Sequence, residues 1–159
     1  MVFTVLIDEE VMVQKKGPPD PPGSRYCVMD YVNDWAAEVV AQTLATFSKN
    51  RESAFADALR RSLDGGGEET PLRVYDIQPQ VGVHPNARFI VLHYSHHYPS
   101  RVAMGMYPLK MRDRCPELAE RVDRALGQSQ DDFAAYMKSR YSSKARKGKK
   151  RGREGPKAR

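Results

Sequence analysis

The chain has 159 residues, 26 of them Lys or Arg and 20 Asp or Glu, with 11 Gly, 11 Pro and two Cys. That length holds one core plus an appendage, and no run of about 18 apolar residues is present to cross a membrane. The charge divides unevenly: residues 1–137 carry fifteen Lys/Arg against nineteen Asp/Glu, a balance of −4, and residues 138–159 carry eleven against one, a balance of +10.

Val2, Thr4 and Leu6 on one side and Phe3, Val5 and Ile7 on the other are nearly all apolar or β-branched, so the chain is predicted to begin with a strand buried on both faces. Val11-Met12-Val13 extends it as an irregular arm. Residues 17–23, Gly-Pro-Pro-Asp-Pro-Pro-Gly, form a stiff surface loop, because their prolines remove donors and fix φ. Ser24 is placed to cap a helix, and Val28, Tyr31, Val32, Trp35, Val39, Thr43, Leu44 and Phe47 recur at helical spacing, which predicts a long amphipathic helix over 25–48 with Trp35 packed in the core. Phe55, Leu59 and Leu63 continue at helical spacing after a Ser-Lys-Asn-Arg interruption, as either a second short helix or a bent extension of the first, stopped by the Gly-rich loop 64–67.

Leu72–Ile77 alternates as a strand, His84-Pro85-Asn86 turns, and Ala87–Tyr94 is the most strand-like run in the chain. Arg101–Tyr107 returns antiparallel to it, giving a hairpin over 87–107. Pro116 opens a helix that carries Leu118, Val122, Ala125 and Leu126 and stops at Gly127. Asp131 and Asp132 start one more helix with Phe133, Tyr136, Met137 and Tyr141. From Ser142 onward no aliphatic side chain exceeds Ala and no aromatic occurs, so this segment cannot enter a core and is expected to be disordered alone. The expected organisation is a single α/β domain over 1–137 and a basic tail over 138–159. Strand, crossover helix, strand, hairpin and final helix together predict a thioredoxin-like α/β sandwich, a four-stranded mixed sheet with flanking helices.

Cys27 and Cys115 form no CxxC, which excludes a zinc ribbon, a redox dithiol and a disulfide scaffold and reads as intracellular. The first ten residues hold no basic stretch and reach acid at Asp8, so neither a secretory signal nor an Arg-rich transit peptide is expected. His84, His93, His96 and His97 are the only histidine concentration. On a strand His93 faces one side while His96 and His97 fall near a turn and diverge, so they read as a strand end touching solvent, polar neighbours or phosphate, not as metal ligands. Cys27, beside Val28 and Tyr31, reads as a small buried hydrophobe with a raised pKa. Gly65–Gly67 is followed by Glu68 and Glu69, which repel phosphate, and Glu117, Glu120 and Asp123 sit at a helix start and on its polar face. No catalytic residue, metal, cofactor or small-molecule substrate is expected.

The tail carries the strongest signal. Lys144, Arg146, Lys147, Lys149, Lys150, Arg151 and Arg153 alternate with small residues, so the segment follows a phosphate backbone closely and releases condensed counterions on binding. Tyr136 and Tyr141 upstream suit either stacking on unpaired bases or packing of a short helix. Arg88 and Arg101, in the expected hairpin, are the candidate RNA contacts of the body.

Gly23-Ser24-Arg25 ahead of Tyr31-Val32, then His84-Pro85-Asn86-Ala87-Arg88-Phe89, then Arg101–Tyr107 and Val122–Gly127, are similar in order and kind to the motifs of one family. The chain resembles the thioredoxin-like family that several mitochondrial ribosomal proteins share with a small accessory subunit of respiratory complex I. The resemblance implies a structural subunit without redox chemistry, rRNA and neighbouring ribosomal proteins as partners, and the mitochondrial matrix as compartment, the nucleus or cytoplasm being the alternative. A second stretch, Val32-Asn33-Asp34-Trp35 through Val39–Leu44, is similar to a helix of Tctex-type dynein light chains, which implies a dimeric adaptor binding peptides along a strand edge. The expected function is therefore a non-catalytic subunit of a ribonucleoprotein, a mitochondrial ribosomal protein holding rRNA through its tail. A light-chain adaptor or a respiratory accessory subunit is the alternative.

Overall fold

The computed structural model describes residues 3–66 and 74–140; the candidate RNA-binding residues from Lys144 to Arg153, and Tyr141, lie outside them. Strand β1 (Val5–Ile7) passes through a 3-10 turn (Asp8–Glu10) into β2 (Val11–Lys15). Strand β3 (Cys27–Asp30) leads to α1 (Trp35–Ser48) and α2 (Ser53–Leu63), and β4 (Tyr75–Pro79) and β5 (Phe89–Leu92) follow. Helices α3 (Tyr98–Met111), α4 (Pro116–Gln128) and α5 (130–140) complete the described chain. None of these helices is long and apolar enough to cross a membrane.

The strands form two antiparallel sheets, β1-β3-β5 and β2-β4, in place of the expected single four-stranded mixed sheet. The reason is β3. It inserts between β1 and β5, aligning Val5 with Met29 and Ile90, and Ile7 with Cys27 and Leu92. Both faces of this sheet are apolar because strand side chains alternate. Val5, Cys27, Met29, Ile90 and Leu92 meet the helices, while Leu6 and Val28 join Val11, Val13 and Ile77 of the second sheet. The result is three layers: helices, a three-stranded sheet, and a two-stranded sheet whose outer residues, Met12, Gln14, Asp76 and Gln78, are exposed. The two-sided burial expected for the first strand is present.

Two elements differ from expectation. The helix expected over 25–48 begins only at Trp35, because Cys27–Met29 is an unbroken apolar run that pairs on both edges and Asp30 then turns the chain. The carboxylate of Asp30, fully buried, accepts from the N–H of Val32 (3.0 Å), Asn33 (3.3 Å) and Arg88 (3.3 Å). Arg101–Tyr107, expected as a strand, lies in α3. Its buried side chains are Ala103, Met104, Tyr107 and Pro108, a helical spacing, and Pro99 in the first turn suits a helix start, where its missing N–H costs nothing.

Candidate functional site

The sheet edges feed helices through two similar turns. After β3, Tyr31–Asp34 delivers α1; after β5, His93–His97 delivers α3. Asp34 caps α1, accepting from Ala36 N (3.0 Å) and Ala37 N (3.4 Å), and its other oxygen accepts from Thr4 Oγ1 (3.1 Å) and Tyr107 Oη (2.6 Å). His97 caps α3: its Nδ1 accepts from Ser100 N (3.3 Å) and sits 2.7 Å from Ser100 Oγ, so Nε2 carries the proton and donates to Glu52 (3.1 Å). That bond holds the Glu52 carboxyl below its usual range.

The second turn borders a cavity of about 680 Å³ between the start of α2, the start of β4, the Pro-rich loop and α5. Phe55, Phe89, Ile90 and Leu44 give it an apolar floor, and His93, His96, His97, Tyr75 and Tyr136 line its polar side. The histidines do not diverge as expected. Tyr26, His93 and His96 stack in sequence, with ring centroids 5.0 and 5.4 Å apart, and Tyr136 closes the row edge-on at 5.1 Å from His96. Tyr136 therefore packs against the body. Ser95 Oγ accepts from Arg25 N (2.8 Å) and is hydrogen-bonded to His96 Nδ1 (2.7 Å).

Asp20, in the Pro-rich loop, anchors this row. Burial pushes its pKa up, but hydrogen bonds from Tyr26 Oη (2.6 Å), Tyr75 Oη (2.9 Å) and Lys15 Nζ (3.1 Å) outweigh that and hold it below the usual carboxylate range. Burial and the same bonds push both phenols up. His93, 7% exposed, falls from 6.5 to about 4, chiefly through desolvation. Sequence reasoning missed Asp20, Tyr26 and Tyr75. The one available signal was an acid between two Pro-Pro pairs, since such a loop holds its side chain in one place.

Ser24, His93 and Asp20 share the connectivity of a hydrolase triad, with Ser24 Oγ 2.9 Å from His93 Nε2 and His93 Nδ1 3.7 Å from Asp20 Oδ2. The protons are placed otherwise. Ser24 donates to Pro21 O (2.6 Å), so the 2.9 Å contact is donated by His93 Nε2, and the base nitrogen that a nucleophile needs is absent on that side. The neighbouring backbone donors are also engaged, Ser24 N with Pro21 O and Arg25 N with Ser95 Oγ, which leaves no pair free for an oxyanion. Among the described residues no group of three or more His, Cys, Asp or Glu side chains is placed to hold a metal ion. Cys27 is fully buried, and desolvation pushes its thiol up.

The two body arginines singled out from the sequence serve the fold. Arg88 reaches Gly66 O (3.0 Å) and Ser62 Oγ (3.4 Å) at the end of α2. Arg101 donates to Tyr94 O (3.1 Å), Leu126 O (2.6 Å), Ser129 Oγ (2.9 Å) and Gln130 Oε1 (2.9 Å), and its guanidinium lies 4.8 Å from the Phe133 ring centre. Trp35, expected in the core, is 50% exposed. Compared with known proteins, the chain matches no family model, no curated protein and no solved structure.

Proposed function

We propose that this chain is a non-catalytic, RNA-binding subunit of a ribonucleoprotein, docked by its α/β body and held to RNA by residues 138–159. The observation that carries the reading is the charge division, −4 over residues 1–137 against +10 over 138–159. A segment of that charge with small spacer residues gains counterion-release entropy on any phosphate backbone, and from Ser142 onward it has no side chain for a core. The histidines suit a structural body, because His93, His96 and His97 are each hydrogen-bonded to neighbouring side chains, those of Ser24, Ser95, Ser100 and Glu52. The mitochondrial ribosome is the particle proposed, on the motif resemblance; copurifying rRNA and proteins identify the particle and its compartment.

The test compares the full chain with a full-length variant in which Lys144, Arg146, Lys147, Lys149, Lys150, Arg151 and Arg153 are all replaced by Gln. The native chain is expected to bind single-stranded RNA with an affinity that falls steeply with salt, each phosphate contact contributing about 0.7 to the log–log slope. The variant is expected to lose both affinity and slope. Equal affinity and slope in the two proteins would overturn the reading.

A second reading, a small-molecule-binding body, is favoured by one observation, the 680 Å³ cavity with its apolar floor and polar rim. A purified full-length chain that retains a small molecule, with Tyr75→Ala releasing it, would establish this reading.

A further inference from the structure

We infer that Trp35, Lys110 and Arg114 form a stacking platform on the body for an unpaired base of single-stranded RNA, with the two cations placed for its flanking phosphates. The inference rests on the RNA reading above and goes beyond it, since it places a second, local contact far in sequence from the tail.

Trp35 is the first residue of α1 and the only Trp of the chain, and half of its surface is exposed. Packing of α1 on α3 brings the end of α3 and the turn after it beside the indole: Arg114 Cζ and Lys110 Nζ lie over the ring, 5.3 and 6.0 Å from its centre. Neither cation forms an ion pair with a carboxylate among the described residues. Four other arginines of the body are ion-paired, Arg25 with Asp8, Arg112 with Asp123, Arg121 with Glu10 and Arg124 with Glu120, while Arg88 and Arg101 are bonded to neutral groups. The segment 110–114, Lys-Met-Arg-Asp-Arg, holds three cations and one acid, and only its Arg112 is neutralised by a partner.

The platform is also rigid. Trp35 follows the cap Asp34, whose carboxylate is bound by the α1 amides and by Tyr107 Oη, one turn before Lys110 on α3. One buried carboxylate thus fixes the start of α1, where Trp35 sits, relative to α3, which carries Lys110 and ends three residues before Arg114. A half-exposed indole with two cations over its ring, neither paired with a carboxylate among the described residues, suits a nucleobase, which stacks on the indole or on the guanidinium plane and brings a negative charge on each side. Arg88 and Arg101, whose guanidiniums are engaged inside the fold, do not offer this.

Because Trp35 is the only indole, its emission reports this site alone. The full chain is titrated with end-labelled oligouridylate, and two signals are followed: anisotropy of the RNA, which reports any binding, and Trp35 emission, which reports stacking. Emission is expected to quench with the same midpoint as the anisotropy. W35A and K110Q/R114Q, checked for native far-ultraviolet circular dichroism, are expected to weaken binding about tenfold, and W35F to retain most of it. A rise in anisotropy with unchanged emission and unchanged W35A affinity would leave RNA on the tail and overturn the platform alone. No anisotropy change with any variant would overturn the platform and the RNA reading together. Quenching by polyglutamate but not by oligouridylate would assign the patch to an acidic protein partner and overturn the RNA platform.

Discussion

At the scale of single residues, stability is concentrated in a few buried carboxylates that each receive several donors. Asp34, 7% exposed, ties the start of β1, the first turn of α1 and the middle of α3 through Thr4, Ala36, Ala37 and Tyr107. Asp34→Ala removes the cap and leaves the buried Tyr107 hydroxyl without an acceptor, so a loss of about 2–4 kcal/mol is expected, against about 1–2 kcal/mol for Tyr107→Phe, which removes donor and demand together. Urea unfolding of the two variants checks the order; equal losses would show that the cross-helix bond, not the cap, holds the site. His93 supplies the pH dependence. It binds a proton near pH 4 in the folded protein and near 6.5 in the unfolded chain, with Asp20, His96, His97 and Lys15 around it. Between those values unfolding takes up a proton, so stability is complete above about pH 6.5 and falls as the pH drops toward 4, by about 3 kcal/mol in total. His93→Gln is expected to flatten that part of the curve, measured as unfolding midpoints across the range; an unchanged slope would assign the dependence to other groups.

At the scale of elements, what was legible in the sequence is what local pattern controls. The two-faced first strand, the short α2, the α4 helix with Pro116 at its start, and the helix bearing Phe133 and Tyr136 all appear close to where spacing and punctuation put them. The stretches that differ are those where pairing partners decide. Cys27–Met29 has a helical spacing to Tyr31 and Val32, yet lies between two strands, and a long-range sheet edge is invisible to a local period. Arg101–Tyr107 alternates like a strand, but the cap that makes it a helix is His97, a residue type that rarely signals one. Asp20, Tyr26 and Tyr75 were unreadable for the same reason, since they meet only after the Pro-rich loop folds over β4. Arg101 shows how an element boundary is held at a distance: it bonds the carbonyl of Leu126 and the side chain of Ser129 where α4 gives way to α5. Arg101→Met keeps the length of the side chain but strands those acceptors, and a loss of about 2–3 kcal/mol is expected. Amide hydrogen exchange should then rise first in α5. Exchange unchanged there would show that Phe133 packing alone fixes the helix.

At the scale of the whole molecule, core and charge are carried by different parts of the chain. The three-stranded sheet is covered on one face by helices and on the other by β2 and β4, so its apolar residues meet others within the described body. The tail, whose aliphatic side chains stop at Ala and which has no aromatic after Tyr141, has nothing with which to add apolar burial, and its like charges repel one another. Neutralising its seven cations from Lys144 to Arg153 is therefore expected to leave the unfolding free energy of the protein within about 0.5 kcal/mol of the native chain, the range usual for surface substitutions, while RNA affinity collapses. Chemical denaturation of both proteins at low and high salt checks this, because a tail lying on the acidic body would stabilise it at low salt only. A native chain that is more stable than the variant at low salt, with the difference erased by salt, would mean that the tail binds its own body. Release of that contact would then oppose RNA binding and lower the apparent affinity by the same free energy.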